Sequence, residues 1–173
     1  DDQYRILEIN ASSPSNPVIL TQLTFANGRT STSGAGITQT DGDVVITQST
    51  IRDNQGTGTS NGGGIYLIAG TMSVTNSTIT GNQNGFGGGL FASKSTILTI
   101  SNSTITNNTG SVTFSTIPGG GIYAAPTSTI NIKGTIVSGN IATVANGTAD
   151  VADGSTTATI NSAGYNIIDD TNS

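Results

Sequence analysis

The sequence contains neither cysteine nor histidine among its 173 residues. Without cysteine the chain can form no disulfide and has no thiol chemistry, so cysteine usage leaves the redox compartment open. Without histidine the chain lacks the most common general base and metal ligand of proteins. These two absences remove the usual thiol and imidazole mechanisms from the functions to be considered.

Charged residues are also scarce, at 9% of the chain. Ordinary soluble proteins carry roughly 25%. The net charge is −5, and the five cations are scattered through the sequence: Arg5, Arg29, Arg52, Lys94 and Lys133. This balance disfavours binding to nucleic acid or to an anionic membrane. No apolar run is long enough to span a membrane, so no direct membrane span is expected in this segment.

The residues that are abundant occur in a repeat. The chain has 30 Thr, 20 Ser, 17 Asn and 24 Gly. Five segments align without internal gaps, and their starts are separated by 26, 28, 26 and 32 residues: 18–28, 44–54, 72–82, 98–108 and 130–140. A fixed period of this size is typical of a solenoid.

Three columns of this alignment are apolar in all five segments. The first column contains Val18, Val44, Met72, Leu98 and Ile130. The third contains Leu20, Ile46, Val74, Ile100 and Ile132, and the eighth contains Phe25, Ile51, Ile79, Ile105 and Val137. Between the first and third columns the residue is usually polar, which is the period-two pattern of a half-buried strand.

A second set of short strands is predicted after the glycine-rich segments, at 34–38, 62–66, 87–91 and 119–123. Each repeat therefore contains about three short strands, and no helical period appears. The fold predicted is an all-β, single-stranded, right-handed parallel β-helix of five to six coils. The coils would stack about 4.8 Å apart, with the apolar columns filling the interior.

Asparagine and glycine recur at fixed places in this pattern. The fifth column contains Gln22, Gln48, Asn76 and Asn102, and the eleventh contains Gly28, Asn54, Asn82, Asn108 and Asn140. Asn tolerates the left-handed backbone of tight corners, and stacked amides can form hydrogen bonds along the axis of the solenoid. Three glycine triplets are predicted to be sharp turns with unusual backbone angles: Gly62, Gly63 and Gly64; Gly87, Gly88 and Gly89; and Gly119, Gly120 and Gly121.

These repeats resemble a known family. The matching residues are Asn76 to Asn82, Asn102 to Asn108, Gly87 to Leu90, Gly119 to Tyr123, and the segment 164–168 (GYNII). They are similar to secreted or cell-surface bacterial β-helix repeat proteins of the pectate-lyase-like superfold, including "choice-of-anchor" proteins and autotransporter passengers. The resemblance implies an extracellular or cell-surface location and says little about function, since fold does not determine function.

One domain is expected over residues 1–173, as a segment of a longer surface protein. Residues 1–17 would form an N-terminal coil or cap, residues 18–140 the repeats, and residues 141–173 a C-terminal coil and cap. The open ends of such a solenoid suggest assembly with further copies, end to end or side by side, into a filament or layer.

Catalysis is disfavoured, although β-helix proteins include polysaccharide lyases. Arg52 or Lys133 would be the base of such an enzyme, but neither has a charged neighbour at the same column of adjacent repeats. Asp41 and Asp43 flank a glycine and are weak candidates for Ca²⁺ ligands; a solvated turn is the simpler interpretation. No cofactor and no catalytic residue is predicted.

An aromatic stripe is the candidate binding surface. If Ile65, Leu90 and Ile122 point inward, the residues that follow them, Tyr66, Phe91 and Tyr123, point outward on successive coils. Such a stripe could bind sugar rings, or its rings could simply cover one another, with loop 109–118 lying over them. The function expected first is a non-enzymatic structural or adhesive module, and the alternative is a polysaccharide lyase or glycan-binding module acting on surface polysaccharide.

Overall fold

The computed structural model describes residues 4–11, 16–111, 119–143, 149–154 and 157–169. Within these ranges every regular element is a β-strand, and the strands recur in the same order along the chain. They are therefore numbered along the chain and grouped into coils.

The strands of the first three coils have the following bounds. Coil 1 contains β1 (Leu7–Asn10), β2 (Val18–Thr21), β3 (Thr24–Ala26) and β4 (Arg29–Thr30). Coil 2 contains β5 (Ile37–Asp41), β6 (Asp43–Thr47), β7 (Thr50–Arg52) and β8 (Gln55–Gly56). Coil 3 contains β9 (Ile65–Leu67), β10 (Thr71–Thr75), β11 (Thr78–Thr80) and β12 (Gln83–Asn84).

The last three coils follow the same order. Coil 4 contains β13 (Leu90–Ala92), β14 (Ile97–Ser101), β15 (Thr104–Thr106) and β16 (Thr109–Gly110). Coil 5 contains β17 (Ile122–Ala124), β18 (Thr129–Lys133), β19 (Ile136–Ser138) and β20 (Ile141–Ala142). Coil 6 contains β21 (Val151–Asp153), β22 (Thr159–Ser162) and β23 (Ile167–Ile168).

Equivalent strands of successive coils pair in parallel and form four sheets. Sheet 1 has the order β1-β5-β9-β13-β17-β21, and sheet 2 has the order β2-β6-β10-β14-β18-β22. Sheet 3 contains β3, β7, β11, β15, β19 and β23, and sheet 4 contains β4, β8, β12, β16 and β20. The predicted parallel β-helix is confirmed. Its fourth strand per coil was not predicted, because a two-residue strand is too short to show alternation.

The interior is filled by the three apolar columns that the sequence predicts, together with inward residues of sheet 1 such as Ile65, Leu90 and Ile122. In sheet 2 the first column runs in register from Val18 through Val44, Met72, Leu98 and Ile130 to Ile160. Side chains in the central coils are buried in one continuous core. Because strand side chains alternate, the residues between these columns face outward.

The N-terminal segment makes hydrogen bonds to the first turns of the solenoid. The carbonyl of Tyr4 accepts a hydrogen bond from the backbone N–H of Arg29 (2.9 Å), in an antiparallel bridge at the edge of sheet 4. The guanidinium of Arg5 donates to the carbonyls of Gly34 and Ser33, each at 3.0 Å. This segment helps to occupy the polar groups that the first coil would otherwise leave open.

Candidate functional site

The aromatic stripe lies on the outer face of sheet 1. Phe91 is paired in register with Tyr66 on one side and with Tyr123 on the other. The rings of Phe91 and Tyr123 are stacked, with centroids 4.9 Å apart and an angle of 12° between their planes. Tyr66 contacts Phe91 edge to face at 5.4 Å, and Phe86 contacts Tyr123 edge to face at 5.2 Å. The outward direction predicted for the three residues is therefore observed, together with mutual packing.

This packing limits what the stripe can offer to a ligand. Phe91 is only 8% exposed, because its ring lies between the two tyrosines. Tyr66 and Tyr123 are half-buried and keep accessible edges. Phe86 was not identified from the sequence, since it lies in a turn outside the aligned columns. Residues 112–118 of the loop proposed to cover the stripe lie outside the described residues.

The hydroxyl of Tyr123 lies in a more restricted environment than an exposed phenol. Burial raises the pKa of Tyr123 above its ordinary value, and the Asp153 carboxylate raises it further. A Cβ at Gly154 would lie 2.2 Å from the Tyr123 hydroxyl oxygen. The glycine thus makes room for the hydroxyl, which remains protonated at neutral pH.

The two candidate calcium ligands each accept a hydrogen bond from the protein. Asp41 Oδ1 accepts from the backbone N–H of Gly42 at 2.7 Å, and Asp43 Oδ1 accepts from the Thr71 hydroxyl at 2.6 Å. Among the described residues, no group of three or more acidic, histidine or cysteine side chains is placed to hold a metal ion. The Asp41 contact is that of a turn, and the Asp43 contact joins the first residues of the paired strands β6 and β10.

The two candidate bases lie on different faces. Arg52 projects from the outer face of sheet 3, where its guanidinium pairs with the neighbouring Asp53 at 2.5 Å. Both side chains of this pair are about half exposed. Lys133 is exposed on the outer face of sheet 2, in register with Ser101. The fold therefore does not bring Arg52 and Lys133 together.

A buried ladder of asparagines runs along the corner between sheets 3 and 4. In each step the amide nitrogen of one Asn donates to Oδ1 of the Asn in the next coil, at 2.9 Å, through Asn54, Asn82, Asn108 and Asn140. Each amide nitrogen also donates at 3.0 Å to a carbonyl in the preceding coil. The ladder inferred from the sequence is present, and each buried amide bonds to the neighbouring coils on both sides.

The left-handed backbone predicted for these asparagines is wrong, however. Positive φ values occur at the fifth column, in Gln22, Gln48, Asn76 and Asn102, and not at the ladder residues. At the ladder corner it is the preceding residue that has positive φ, as in Asp53 (56°) and Asn107 (55°). Asparagine is required at the ladder position for the hydrogen bonds of its side-chain amide, and the residue before it adopts the positive φ that makes the turn.

A second buried ladder consists of hydroxyl groups and was missed from the sequence. Ser77 Oγ accepts from the backbone N–H of Ser49, and Ser103 Oγ accepts from that of Ser77, each at 3.1 Å. Each hydroxyl also donates to the carbonyl two residues earlier, at 2.8 Å. The ladder ends where Asn166 Oδ1 accepts from the N–H of Thr135 at 2.9 Å. The recurrence of Ser before Thr at the sixth column was the available signal.

The glycine triplets have two different roles. Gly62 and Gly87 have φ near +60° and make the predicted turn. The remaining triplet glycines lie outside the left-handed region, so unusual angles do not explain them. A Cβ at Gly64 would lie 2.6 Å from the carbonyl oxygen of Gly89 and 3.0 Å from the Asn82 side chain. The third glycine of the triplet thus lets the stacked backbones and the asparagine ladder approach closely.

Asp150 terminates the asparagine ladder. The N–H of Ile122 donates to the carbonyl of Asp150 at 2.8 Å, just as that of Leu90 donates to Gly121, so Asp150 takes the place of the third glycine. Its buried carboxylate accepts the amide nitrogen of Asn140 at 2.7 Å and the backbone N–H of Asn140 at 3.1 Å. The aspartate thus replaces the asparagine that a further coil would supply.

The outer face of sheet 2 carries a shallow open depression of about 460 Å³. Its lining combines apolar residues such as Pro17 and Ile97 with hydroxyl residues such as Thr71 and Thr99. Asp43 contributes a carboxylate at one edge. This depression offers a mixed polar and apolar surface on a face that the aromatic stripe does not reach.

One comparison with known proteins, that with family models, agrees with this architecture. Neither the curated proteins nor the solved structures gave a match to the chain. No helix long and apolar enough to cross a membrane occurs in the described part of the chain. A family model described as "Right handed beta helix region" matches residues 7–168, which span all six coils. The chain therefore belongs to the right-handed β-helix family.

Proposed function

We propose that this chain is a non-enzymatic structural or adhesive module of an extracellular, cell-surface bacterial protein. The observation that carries the proposal is the placement of its functional groups. Buried amide and hydroxyl ladders connect the coils, while the reactive side chains Arg52, Lys133, Asp41 and Asp43 are dispersed or hydrogen-bonded within the scaffold. Such a distribution serves a rigid spacer better than a catalytic centre, which needs its groups assembled around one reacting atom.

The rigidity has a direct physical basis. Coils 2, 3 and 4 are each hydrogen-bonded to both neighbours through four sheets and two side-chain ladders. A protease needs a locally unfolded segment, and local opening would break several of these bonds together. The surface location and bacterial source rest on the resemblance of the repeats to secreted β-helix proteins.

Two measurements test this proposal. The protein is incubated with acidic polysaccharides while absorbance from unsaturated products is followed, and no turnover is expected. Product formation that disappears in Arg52→Ala or Lys133→Ala would overturn the proposal in favour of a lyase. In parallel, the folded chain should survive a dose of proteinase K that degrades it fully in denaturant.

Glycan binding is the second candidate function, and the depression on sheet 2 favours it. A groove lined by apolar and hydroxyl groups suits the mixed surface of a sugar. The half-buried Tyr66 and Tyr123 provide a separate candidate surface on sheet 1. A glycan array distinguishes them: Thr99→Lys should abolish binding in the depression, whereas Tyr66→Ala with Tyr123→Ala should abolish binding at the stripe. Absence of any bound glycan would remove this candidate.

A further inference from the structure

Three exposed asparagines begin the tripeptide Asn-X-Ser/Thr, which is the acceptor sequence for N-linked sugars. Asn76 and Asn102 lie at the corner between sheets 2 and 3, and Asn107 lies at the corner between sheets 3 and 4. The residues two positions later are Thr78, Thr104 and Thr109. Two further copies of the tripeptide, which begin at Asn10 and Asn146, extend into residues outside the described ranges. We call Asn76, Asn102 and Asn107 the corner acceptors.

The scaffold does not use the side chains of the corner acceptors. Their backbone has φ of 49° in Asn76 and Asn102 and 55° in Asn107, and each N–H donates to a carbonyl of the next coil. Within the described part of the chain, no hydrogen bond involves their side-chain amides. Asn82 differs, since its buried side chain bonds to Asn54 and Asn108. A sugar on a corner acceptor would therefore break no bond of the fold, whereas a sugar on Asn82 would break the ladder.

The next coil leaves room beside two of the corner acceptors. In coil 5 glycine occupies both corner columns, as Gly134 beside Asn102 and Gly139 beside Asn107. A Cβ at Gly134 would lie 2.7 Å from Asn102 Oδ1, and a Cβ at Gly139 would lie 3.8 Å from Asn107 Oδ1. Gly134 thus leaves the Asn102 amide accessible, where any other residue would press on it.

We propose that the corner acceptors carry N-linked sugars, and this proposal rests on the extracellular location proposed above. In the reaction, Nδ2 of the asparagine attacks C1 of a sugar that is activated as a glycosyl diphosphate. The N–C bond forms, the bond between C1 and the diphosphate oxygen breaks, and Nδ2 loses one proton as the diphosphate leaves. A transferase that recognises the tripeptide catalyses this exchange, and no atom is oxidised or reduced.

The sugars must be added before the corners fold. In the folded chain the N–H of Ser77 donates to Ser103 Oγ at 3.1 Å, and the N–H of Thr78 donates to the carbonyl of Ser49 at 3.0 Å. Ser77, the middle residue of its tripeptide, is buried. A transferase takes up the tripeptide as an exposed segment, which would require these bonds to neighbouring coils to open together. The unfolded chain is therefore the substrate, and the folded chain is not.

The first measurement is peptide mass spectrometry of the chain isolated from its native source. Sugar is expected on Asn76, Asn102 and Asn107. Asn27 is the internal control, because it lies in the column of Asn107, is exposed and has φ of 63°, but Arg29 stands where the tripeptide needs Ser or Thr.

Each acceptor found without sugar contradicts its own assignment, and a chain with sugar on none of them overturns the proposal. If that chain is found outside the cell, the proposed structural or adhesive module still stands; if it is found only inside the cell, both proposals fail. Sugar on Asn27 as often as on Asn107 would also overturn the proposal, because the tripeptide would not direct the modification.

The second measurement uses variants secreted from yeast, whose export pathway attaches sugars to this tripeptide. Gln48 has φ of 50° at the column of Asn76 and is followed by Ser49 and Thr50, so Gln48→Asn creates the same tripeptide in coil 2. This variant should gain one sugar site and keep its thermal midpoint when the sugars are removed enzymatically. Thr78→Ala should lose only the sugar of Asn76, and Thr78→Ser should keep it. A midpoint that rises when the sugars are removed would show that the corners do not accept them, which would overturn the proposal.

The order of addition is tested with a purified transferase and its glycosyl diphosphate donor. The folded, sugar-free chain is compared with Ile79→Asp, in which a buried charge prevents folding, as circular dichroism verifies. Sugar should enter the Asn76 tripeptide of the unfolded variant at least about tenfold faster. Equal rates would contradict addition before folding.

Discussion

Two neighbouring corners of each coil use the same amino acid for different physical reasons. At the corner between sheets 2 and 3, Asn76 and Asn102 are exposed and have left-handed backbone angles. At the corner between sheets 3 and 4, Asn82 and Asn108 are buried, and their amides connect adjacent coils. The first corner requires a backbone conformation, and the second requires a side chain.

The difference shows how a repeat should be interpreted. A residue type that recurs in every coil shows that a structural requirement recurs there, but it does not show whether the backbone or the side chain meets that requirement. The exposed corner is occupied by glutamine, asparagine or glycine, as in Gln48, Asn76 and Gly134, and all three residues adopt positive φ there. The buried corner retains asparagine in four successive coils, because no other neutral side chain both donates and accepts in this geometry with the same length. Substitutions that remove the side chain should therefore destabilise the buried corner most, whereas the exposed corner should respond only to substitutions that disfavour positive φ.

Asn82→Ala should produce the largest effect. It removes the acceptor of the Asn54 amide and the donor to Asn108, and it leaves several buried polar groups without partners. Each such group costs about 1–3 kcal/mol, so the free energy of unfolding should fall by about 3 kcal/mol or more. Urea denaturation measures this loss. A loss no greater than that of Asn76→Ala, in the same coil, would contradict the distinction between the corners.

Gly64→Ala should be the next most damaging change. The added methyl group would lie 2.6 Å from the Gly89 carbonyl oxygen and would press on the Asn82 amide. Overpacking of this kind costs about 1–3 kcal/mol. Thermal unfolding should show a lower midpoint. An unchanged midpoint would mean that the two coils can move apart enough to hold the methyl group while the asparagine ladder stays intact.

Ser77→Ala tests the hydroxyl ladder and should cause a loss of stability smaller than that of the two preceding substitutions. The substitution leaves the backbone N–H of Ser49 without its acceptor and removes one donor to the Thr75 carbonyl. The expected loss is about 1–2 kcal/mol, smaller than for Asn82→Ala because fewer bonds are broken. Ser77→Thr is a useful companion, since Thr135 already occupies this column and keeps the hydroxyl.

Substitutions of Asn76 should change the free energy of unfolding least, and the size of the change should depend on how well the new residue adopts positive φ. Asn76→Gly should change the unfolding free energy by less than about 0.5 kcal/mol, because glycine accepts positive φ without strain. Asn76→Ala should cost about 1 kcal/mol, because alanine resists the left-handed region. If glycine proved as harmful as alanine in urea denaturation, the Asn76 side chain would have a role beyond permitting the turn.

Much of this fold was predictable from the sequence because stacking repeats the same alternation in every coil. The columns headed by Val18, Leu20 and Phe25 identified the interior, and the recurrence of Asn54 to Asn140 indicated the ladder. The burial of Ser77 was not predictable in the same way, since a serine next to a threonine also suits an exposed strand. The terminating role of Asp150 was hidden because it lies in a coil whose spacing no longer matches the others.

Asp150 has a consequence for how such a rod changes in length. Between Gly64 and Gly121 successive coils share the glycine turn and the asparagine ladder, so a coil that carries both could be duplicated there, and the rod would grow by one step of about 4.8 Å. At Asp150 the third glycine of the triplet is replaced by a residue whose carboxylate already bonds to Asn140, so a coil duplicated there would not present the same ladder surface. The coils that share the asparagine ladder are therefore the part of the rod within which its length can change.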